Sequence, residues 1–202
     1  MGLFDKDSYN KADQVLTAKE DWYNGIKFRS VLESKTAQAL DNLGITYKYE
    51  PDGYKLSNGY KLSNGMWYRP DFWLPYAKEF IECKGVMSTE DSAKICGLVQ
   101  DTGVPVVVIS YENIMLVERF NDDEIATFSG SDIMLGWCSR CGMAHFYAEP
   151  GSYQCTGCGY YNGDHTITNS MQVASGTSLF NCGQETAADK PFYKEIADKF
   201  NN

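Results

Sequence analysis

The sequence lacks any long hydrophobic run. Its most apolar stretch, VPVVVI at residues 104–109, is far shorter than the roughly 20 residues that a transmembrane helix needs. The opening residues MGLFDKD contain neither the basic nor the hydrophobic segment of a secretion signal, and Lys6 stands where a myristoylation pattern needs Ser or Thr. We therefore expect a cytoplasmic protein with no membrane partner.

Positive charge is also scarce. The chain has 18 Lys and Arg against 27 Asp and Glu, for a formal net charge of -9. Such a balance argues against broad electrostatic affinity for nucleic acid, which normally draws on a cluster of cations. Binding would have to use a local basic strip, and each candidate could equally be an ordinary surface charge. The candidates are Lys27, Arg29, Lys35, Lys48, Arg69 and Lys94.

Disulfide bonding is not expected, because the cysteine count is seven, an odd number, and no secretion signal is visible. Four cysteines fall in a paired pattern, and Cys83, Cys96 and Cys182 are left over. With 202 residues and 43% hydrophobic content, the chain can form one domain of moderate size and a small second one.

The first half of the chain predicts a helix followed by strands. Apolar residues at 31, 32, 39, 40 and 43 form a stripe that begins after Ser30 and ends at Gly44. ITYKYE at 45–50 alternates as a half-buried strand should. A perfect tandem repeat, YKLSNGYKLSNG at 54–65, carries two Asn-Gly turn signals and predicts a small hairpin, either a wedge for a DNA groove or a tolerated loop expansion.

The next segments complete an α/β pattern. Ser88 or Thr89 can begin a helix that runs to about Gln100 and is closed by Gly103. VPVVVIS then predicts a buried strand, parallel to a neighbour through a right-handed crossover. IMLVERF and EIATFSG predict a further pair of strands that extends the sheet.

The segment YRPDFWLPYAKEFIECKG at 68–85 predicts a hairpin with charges on one face. With residues 75–78 as the loop, Leu74 pairs with Glu79, and Asp71 lies opposite Glu82. Lys84 shares the face of Glu82, because side chains alternate along a strand. Adjacent like charges repel, and a divalent cation between the two carboxylates, with the ammonium beside it, would remove the conflict.

These residues resemble the PD-(D/E)XK nuclease superfamily, whose signature is an Asp, a spacer and then Glu-x-Lys on the next strand. The resemblance covers roughly residues 28–110 and is strongest to a branch common among phage and bacterial proteins. It implies a restriction-endonuclease-like core of helix, three antiparallel strands, helix and strand. It also implies catalysis by Asp71, Glu82 and Lys84, with Mg²⁺ or Mn²⁺ held by Asp71, Glu82 and the backbone carbonyl of Cys83, which stands where Val is common.

Glu33 has two interpretations. Ser30-x-x-Glu33 fits a capping box, in which each side chain bonds the other residue's backbone N–H. The resemblance instead makes Glu33 a catalytic acid that reaches the metal from the helix. Arg29 beside it could contact the scissile phosphate, since a guanidinium fork suits phosphate oxygens, or could be a surface charge.

Two Cys-x-x-Cys pairs, Cys138 with Cys141 and Cys155 with Cys158, resemble a zinc ribbon. Four thiolates give closed tetrahedral coordination, which indicates a structural Zn²⁺. A hairpin of this size is expected to bury little core, so that metal supplies its folding energy. With four cysteines present, His145 is not expected to be a ligand. Ribbons often bind nucleic acid, and Arg140 is a candidate contact.

The sequence therefore predicts an N-terminal extension at 1–27, a nuclease-like domain at 28–130, a zinc ribbon at 134–167 and a tail with a short helix at 168–202. The expected function is a Mg²⁺- or Mn²⁺-dependent DNA endonuclease, in a host cytoplasm if the chain is viral. A homodimer would suit cleavage of both strands. The alternatives are an inactive nucleic-acid-binding module and a protein-binding adaptor that uses the ribbon. Nucleic-acid contacts are assigned to Arg29, Lys35, Arg69 and Arg140.

Overall fold

The computed structural model describes residues 19–57, 67–121, 124–148, 154–161 and 167–181. The predicted C-terminal helix at 191–200, most of the tandem repeat, His165 and Cys182 lie outside these ranges. Within them the α-helices that the structure delimits at both ends are α1 (Val31–Asn42) and α2 (Thr89–Thr102). Residues 176–181 are also helical, and Gly130–Asp132 form a single 3-10 turn. The strands are β1 (Asp21–Tyr23), β2 (Ile26–Phe28), β3 (Lys48–Tyr49), β4 (Tyr54–Lys55), β5 (Trp67–Tyr68), β6 (Phe72–Leu74), β7 (Glu79–Cys83), β8 (Val106–Ile109), β9 (Ile114–Arg119), β10 (Ile125–Ser129), β11 (Ile133–Cys138), β12 (Ala144–Ala148) and β13 (Ile167–Gln172).

A six-stranded mixed sheet is the centre of the molecule, with strand order β10-β9-β8-β7-β6-β3. β8 is parallel to β7 and antiparallel to β9, so the predicted buried parallel strand is confirmed. β9 and β10 pair antiparallel and extend the sheet as predicted. The register of β6 with β7 is also the predicted one, with Leu74 opposite Glu79 and Phe72 opposite Ile81.

The two helices belong to cores on opposite faces of this sheet. Leu40 of α1 lies in one hydrophobic cluster with Phe72 and Ile81. Leu98 of α2 lies in a second cluster with Phe80. Ile81 and Phe80 are neighbours in β7 and so point to opposite faces. The result is a mixed α/β fold, in which α1, β3, β6, β7, α2 and β8 follow one another with the β4–β5 hairpin inserted.

Local capping chemistry sets the helix ends. Ser30 and Ser88 are the N-caps, and each side chain accepts a hydrogen bond from the backbone three residues on. Gly44 follows the first helix and Gly103 ends the second, both with φ of 67°. This left-handed conformation favours glycine. Both helix predictions are confirmed, and α2 runs two residues beyond the predicted Gln100.

The segment before residue 28 holds a hairpin that the sequence analysis missed. β1 and β2 pair around Asn24 and Gly25, both with positive φ. Asn-Gly between extended segments is a strong signal for a two-residue turn, so the information was present in the sequence. Phe28 at the end of β2 is fully buried against Phe72, which ties this hairpin to the sheet.

The strands around the tandem repeat pair with each other. Tyr54 and Lys55, which begin the repeat, lie opposite Tyr68 and Trp67 respectively. The hairpin predicted within the repeat itself falls mostly outside the described residues. Because β4 pairs with β5, the chain enters β6 close to where it left β3, and β3 and β6 pair with each other. An insertion between β4 and β5 therefore leaves the central sheet intact.

β11, β12 and β13 form a separate three-stranded sheet. The expectation that the segment around the cysteines buries little core is wrong, because Leu135 and Phe146 are buried in the same cluster as α1. The alternation of apolar residues in LGWC and HFYA supplies that buried face. The domain boundaries remain predictions. No helix in the described ranges has the length and apolarity needed to cross a bilayer.

Candidate functional site

Asp71 and Glu82 lie side by side on the central hairpin. Phe72 pairs with Ile81, and the next position outward brings Asp71 next to Glu82. Each residue is only 2% exposed. Asp71 Oδ2 accepts a hydrogen bond of 2.7 Å from the Cys83 backbone N–H, which links β7 to the residue directly before β6. The role of the Cys83 carbonyl as a metal ligand stays a prediction.

The two carboxylates carry opposed electrostatic influences. Burial, then the charges of Glu82 and Glu33, raise the pKa of Asp71 to about 8, although the Cys83 N–H and the Arg29 guanidinium lower it. Burial also raises the pKa of Glu82. Negative charge therefore exceeds what the surrounding donors and cations neutralise. Binding of a proton or of a metal cation commonly neutralises such an excess of negative charge.

Glu82 has one buried oxygen without a hydrogen bond. Oε1 contacts Lys84 Nζ at 2.9 Å, whereas the buried Oε2 has only the buried Tyr68 hydroxyl as a near partner among the described residues, and that contact falls short of a standard hydrogen bond. An unsatisfied buried oxygen costs roughly 1–3 kcal/mol. An atom of this kind, on a carboxylate beside a second carboxylate, fits a ligand for a hard cation.

Lys84 is held between two acids. Its Nζ lies 2.9 Å from Glu82 Oε1 and 3.1 Å from Asp91 Oδ1 at the start of α2. Burial disfavours the charged ammonium, but the carboxylates of Glu82 and Asp91 outweigh that effect and raise the pKa of Lys84. The ammonium is thus charged at neutral pH and fixed next to Glu82, on the face that the strand alternation predicted.

Arg29 and Glu33 join the cluster from the start of α1. The Arg29 guanidinium contacts Asp71 Oδ1, and the Arg29 backbone N–H donates to Glu33 Oε2 at 3.2 Å. Tyr49 donates its hydroxyl proton to the same oxygen at 2.6 Å. The Glu33 backbone N–H donates to Ser30 Oγ at 3.1 Å. One half of the predicted capping box is present. The carboxylate does not accept from the Ser30 backbone N–H and instead accepts from the Ser30 hydroxyl at 3.0 Å, from the Arg29 backbone N–H and from Tyr49.

Glu50 is a site residue that the sequence analysis missed. Its Oε1 lies 3.1 Å from Arg29 Nε and 3.0 Å from Arg69 Nη2. Its backbone N–H donates to the Asp71 carbonyl at 2.7 Å, and its φ of 45° is rare for a residue other than glycine. The carboxylate at the end of ITYKYE, directly before Pro51, is the only signal in the sequence, and it is weak.

The acidic cluster, made of Glu33, Asp71 and Glu82, differs from the cluster of four cysteines in how close its potential ligand atoms lie to one another. Among the described residues, the four cysteines alone form a group of three or more potential ligands whose atoms all lie within 4.8 Å of one another. Glu33, Asp71 and Glu82 are neighbours without reaching that spacing. The Arg29 side chain, in contact with both Glu33 and Asp71, accounts for part of the separation.

Most other predicted basic contacts lie elsewhere or are paired with acids. Lys35 lies over the ring of Tyr111, with Nζ 5.5 Å from its centroid, and Arg140 lies over Tyr160 at 5.4 Å. Neither belongs to the acidic cluster. Three other lysines each pair with an acid: Lys27 with Glu20, Lys48 with Asp52 and Lys94 with Glu90.

The four thiols form a compact cluster. Cys138 and Cys158 sulfurs lie 3.9 Å apart, and those of Cys141 and Cys155 lie 3.7 Å apart. Sulfurs at the corners of a tetrahedron with Zn–S bonds of about 2.3 Å are roughly 3.8 Å apart, so the set fits a metal such as Zn²⁺. Burial raises the pKa of the Cys155 thiol to about 11. Coordination would supply the positive charge that a thiolate there needs.

His145 links the cysteines to the central hairpin. Its Nε2 lies 3.2 Å from Cys155 Sγ, and its Nδ1 lies 3.2 Å from Glu79 Oε1. Both His145 and Glu79 are buried. The neighbouring Thr156 hydroxyl donates to the carbonyl of Ala77 in the β6–β7 loop. His145 therefore contacts the candidate metal ligand Cys155 from the side, and a hydrogen bond between them can orient the Cys155 thiol. Its position between the Cys pairs carried no signal for this role.

Comparison with protein-family models, with curated proteins and with solved structures finds no match to this chain. The class that the structure itself defines is a mixed α/β protein with a four-cysteine cluster that could hold a metal such as Zn²⁺.

Proposed function

We propose that this protein is a metal-dependent nuclease that cleaves DNA internally, built on a restriction-endonuclease-like core. The observation that carries the proposal is the buried pair Asp71 and Glu82, each 2% exposed, with one Glu82 oxygen that, among the described residues, faces only the Tyr68 hydroxyl and makes no standard hydrogen bond. The resemblance of RPDF and ECKG to the PD-(D/E)XK signature supports it, as does the order helix, three strands, helix, strand.

Each residue has a defined role in the proposed reaction. Asp71 and Glu82, with Glu33 and the Cys83 carbonyl, would hold Mg²⁺ or Mn²⁺. The metal would supply Lewis acidity toward water and the phosphodiester. Lys84, charged and fixed beside Glu82, would orient the attacking water and stabilise developing negative charge. Arg29 would exchange its contact with Asp71 for a phosphate oxygen, an acceptor that suits a guanidinium equally well.

A binding module that cleaves nothing is the second candidate. The observation in its favour is that Arg29 and Lys84 already pair with the acids, as they would in a structural ion network. An adaptor that docks on a protein through the cysteine-containing sheet is the third. DNA as partner and a homodimer remain predictions in all three cases.

The test is a plasmid and oligonucleotide cleavage panel with Mg²⁺ or Mn²⁺, covering duplex, branched and single-stranded DNA and RNA. Wild type is expected to cut DNA only with metal, and Asp71→Asn, Glu82→Gln and Lys84→Ala are each expected to lose at least about a hundredfold in rate. Glu118→Gln is the matched control, since burial also raises the pKa of that carboxyl on β9.

Glu118→Gln should cut at the wild-type rate. If wild type cuts no substrate with either metal, the binding module becomes the better description. If wild type cuts and the Lys84 and Asp71 variants cut equally well, a different site is responsible for the activity.

A further inference from the structure

Two tryptophans stand exposed on the small hairpins beside the acidic cluster. Trp22 in β1 is 66% exposed, and Trp67 in β5 is 71% exposed. Trp22 lies directly opposite Lys27, and Trp67 lies directly opposite Lys55. Residues directly opposite each other in an antiparallel pair share a face. Each hairpin therefore carries a tryptophan and a lysine on one face, and the Lys27 ammonium pairs with Glu20.

From each of these pairs the chain leads to an arginine. Arg29 comes two residues after Lys27, and Arg69 comes two residues after Trp67. Each arginine directly follows the last residue of a hairpin strand, Phe28 in β2 and Tyr68 in β5. A Cβ added at Gly53 would lie 3.5 Å from the Trp67 ring and 3.8 Å from Arg69 Cβ, so both side chains pass over the same glycine.

The two arginines meet at a single oxygen. Arg29 Nε lies 3.1 Å and Arg69 Nη2 lies 3.0 Å from Glu50 Oε1. Arg69 is about half exposed, as is Arg29. A phosphodiester oxygen is an anionic acceptor that guanidinium groups bind readily. A phosphodiester oxygen that displaces the Glu50 carboxylate would take the same two guanidinium contacts.

We infer that the outward faces of these two hairpins bind an unpaired segment of nucleic acid. Arg29 and Arg69 hold its phosphates, and Trp22 and Trp67 stack on bases to either side. The bases must be unpaired, because bases inside a duplex stack on one another and cannot lie on an indole. This inference rests on the proposed function only in placing nucleic acid at this face.

The overall charge of the protein favours this mode of binding. At a formal net charge of -9, long-range attraction to a phosphate backbone is weak. Stacking on aromatic rings adds binding free energy that needs no positive charge. We therefore expect the preferred substrate of the proposed nuclease to have single-stranded DNA next to the scissile phosphate, as in an overhang or a flap.

The experiment measures the binding of a fluorescently labelled 15-nucleotide oligo-dT by anisotropy, without added divalent cations so that nothing is cut. Trp67→Ala and Trp22→Ala are each expected to weaken binding by at least about fivefold. Phe120→Ala is the matched control, because Phe120 is 74% exposed at the far end of β9, on the other side of the sheet order. Arg69→Ala is compared with Arg119→Ala in the same way.

A duplex of the same length should bind at least about tenfold more weakly than oligo-dT. The inference is overturned if wild type does not bind oligo-dT, if the duplex binds as well, or if both tryptophan variants bind like Phe120→Ala. Circular dichroism establishes that each variant is folded.

Cleavage measured separately with Mg²⁺ distinguishes this inference from the nuclease proposal. Tryptophan-dependent binding without cleavage on any substrate would remove the nuclease proposal and leave the binding face. Cleavage of blunt duplex DNA at equal rates by wild type and both tryptophan variants would support the nuclease proposal and remove the binding face.

Discussion

The acidic cluster and the cysteine cluster lie at opposite ends of the β6–β7 hairpin. Asp71 and Glu82 lie at its open end, and the β6–β7 loop at the other end contacts the second Cys-x-x-Cys turn. The cysteine sulfurs are already close to the spacing of a tetrahedral metal site. The acids are instead held apart and partly neutralised by Arg29 and Lys84.

The difference follows from what each set of groups can do without a metal. Neutral thiols can pack against one another in a partly buried cluster, so four of them converge at little electrostatic cost. Carboxylates repel and need cations or protons between them. A site filled by four cysteines is closed and structural. A site whose acids exchange a protein cation for a metal is suited to reversible binding and to catalysis.

The largest expected effect comes from removing a cysteine. Cys155→Ser should abolish binding of one Zn²⁺ per chain and lower the midpoint of thermal unfolding by about 10 °C or more, since several kcal/mol of binding free energy would be lost. Metal content by plasma mass spectrometry and a thermal melt measure both. Cys96→Ser, outside the cluster, should retain zinc and melt like wild type.

Equal melting of the Cys155 and Cys96 variants would mean that the thiols alone, without metal, hold this part of the fold. The contrast between the two clusters would then disappear, because neither would depend on a metal for its structure.

A smaller effect is expected from changing Glu79, which lies in β7 and contacts His145 beside the cysteine cluster. Glu79→Ala removes the buried carboxylate that contacts His145 Nδ1 and accepts from the Phe146 backbone N–H. We expect a loss of about 2–4 kcal/mol in the free energy of unfolding, together with faster release of zinc to a chelator. Urea unfolding and a colorimetric zinc assay test this.

Glu118→Ala on β9 is the matched control for Glu79→Ala and should change stability by less than about 1 kcal/mol, with zinc release unaffected. If the two variants behave alike, the His145 contact does not connect the cysteine cluster to the hairpin.

The smallest effect is a pH dependence confined to the acidic cluster. Burial, together with the charges of Glu82 and Glu33, raises the pKa of Asp71 to about 8, well above the ordinary range of an aspartate, so the folded protein retains a proton that the unfolded chain has lost. This contribution to stability is present at low pH and declines as the pH rises from about 4 to 8. Because the proposed metal would have to displace that proton, Mg²⁺ should stabilise the protein more at pH 8 than at pH 6.

Thermal melts across this pH range, with and without Mg²⁺, make the measurement, and Asp71→Asn should flatten the dependence. Stabilisation by Mg²⁺ that is equal at both pH values, or greater at pH 6, would contradict the assignment of the raised pKa to a metal ligand.

Features fixed by short-range patterns were predictable from the sequence. Ser30 and Ser88 mark the helix starts, the four-residue loop fixes the register of β6 with β7, and paired Cys-x-x-Cys turns converge. The β1–β2 hairpin was equally predictable from Asn24 and Gly25 and was overlooked. In each case the signal lies within a few residues, and backbone geometry does the rest.

Other features depended on contacts between residues far apart in the sequence. These features are the burial of the cysteine-containing sheet, the contacts of Glu50 with two arginines, and the contact of His145 with Glu79. Glu50 meets Arg29 and Arg69 across 21 and 19 positions, and His145 meets Glu79 across 66. No local period specifies such pairs. They arise because packing of the helices and sheets fixes which surfaces face each other.

By itself the sequence determined the elements, the hairpin register that places Asp71 beside Glu82, and the four-cysteine set. Only the tertiary structure decided that Arg29 lies among the acids, that Glu50 joins two arginines, and that His145 ties the cysteines to β7. The physical reason is that hydrogen bonding and side-chain alternation act between near neighbours, whereas ion pairs and burial depend on segments that meet only after the chain has folded.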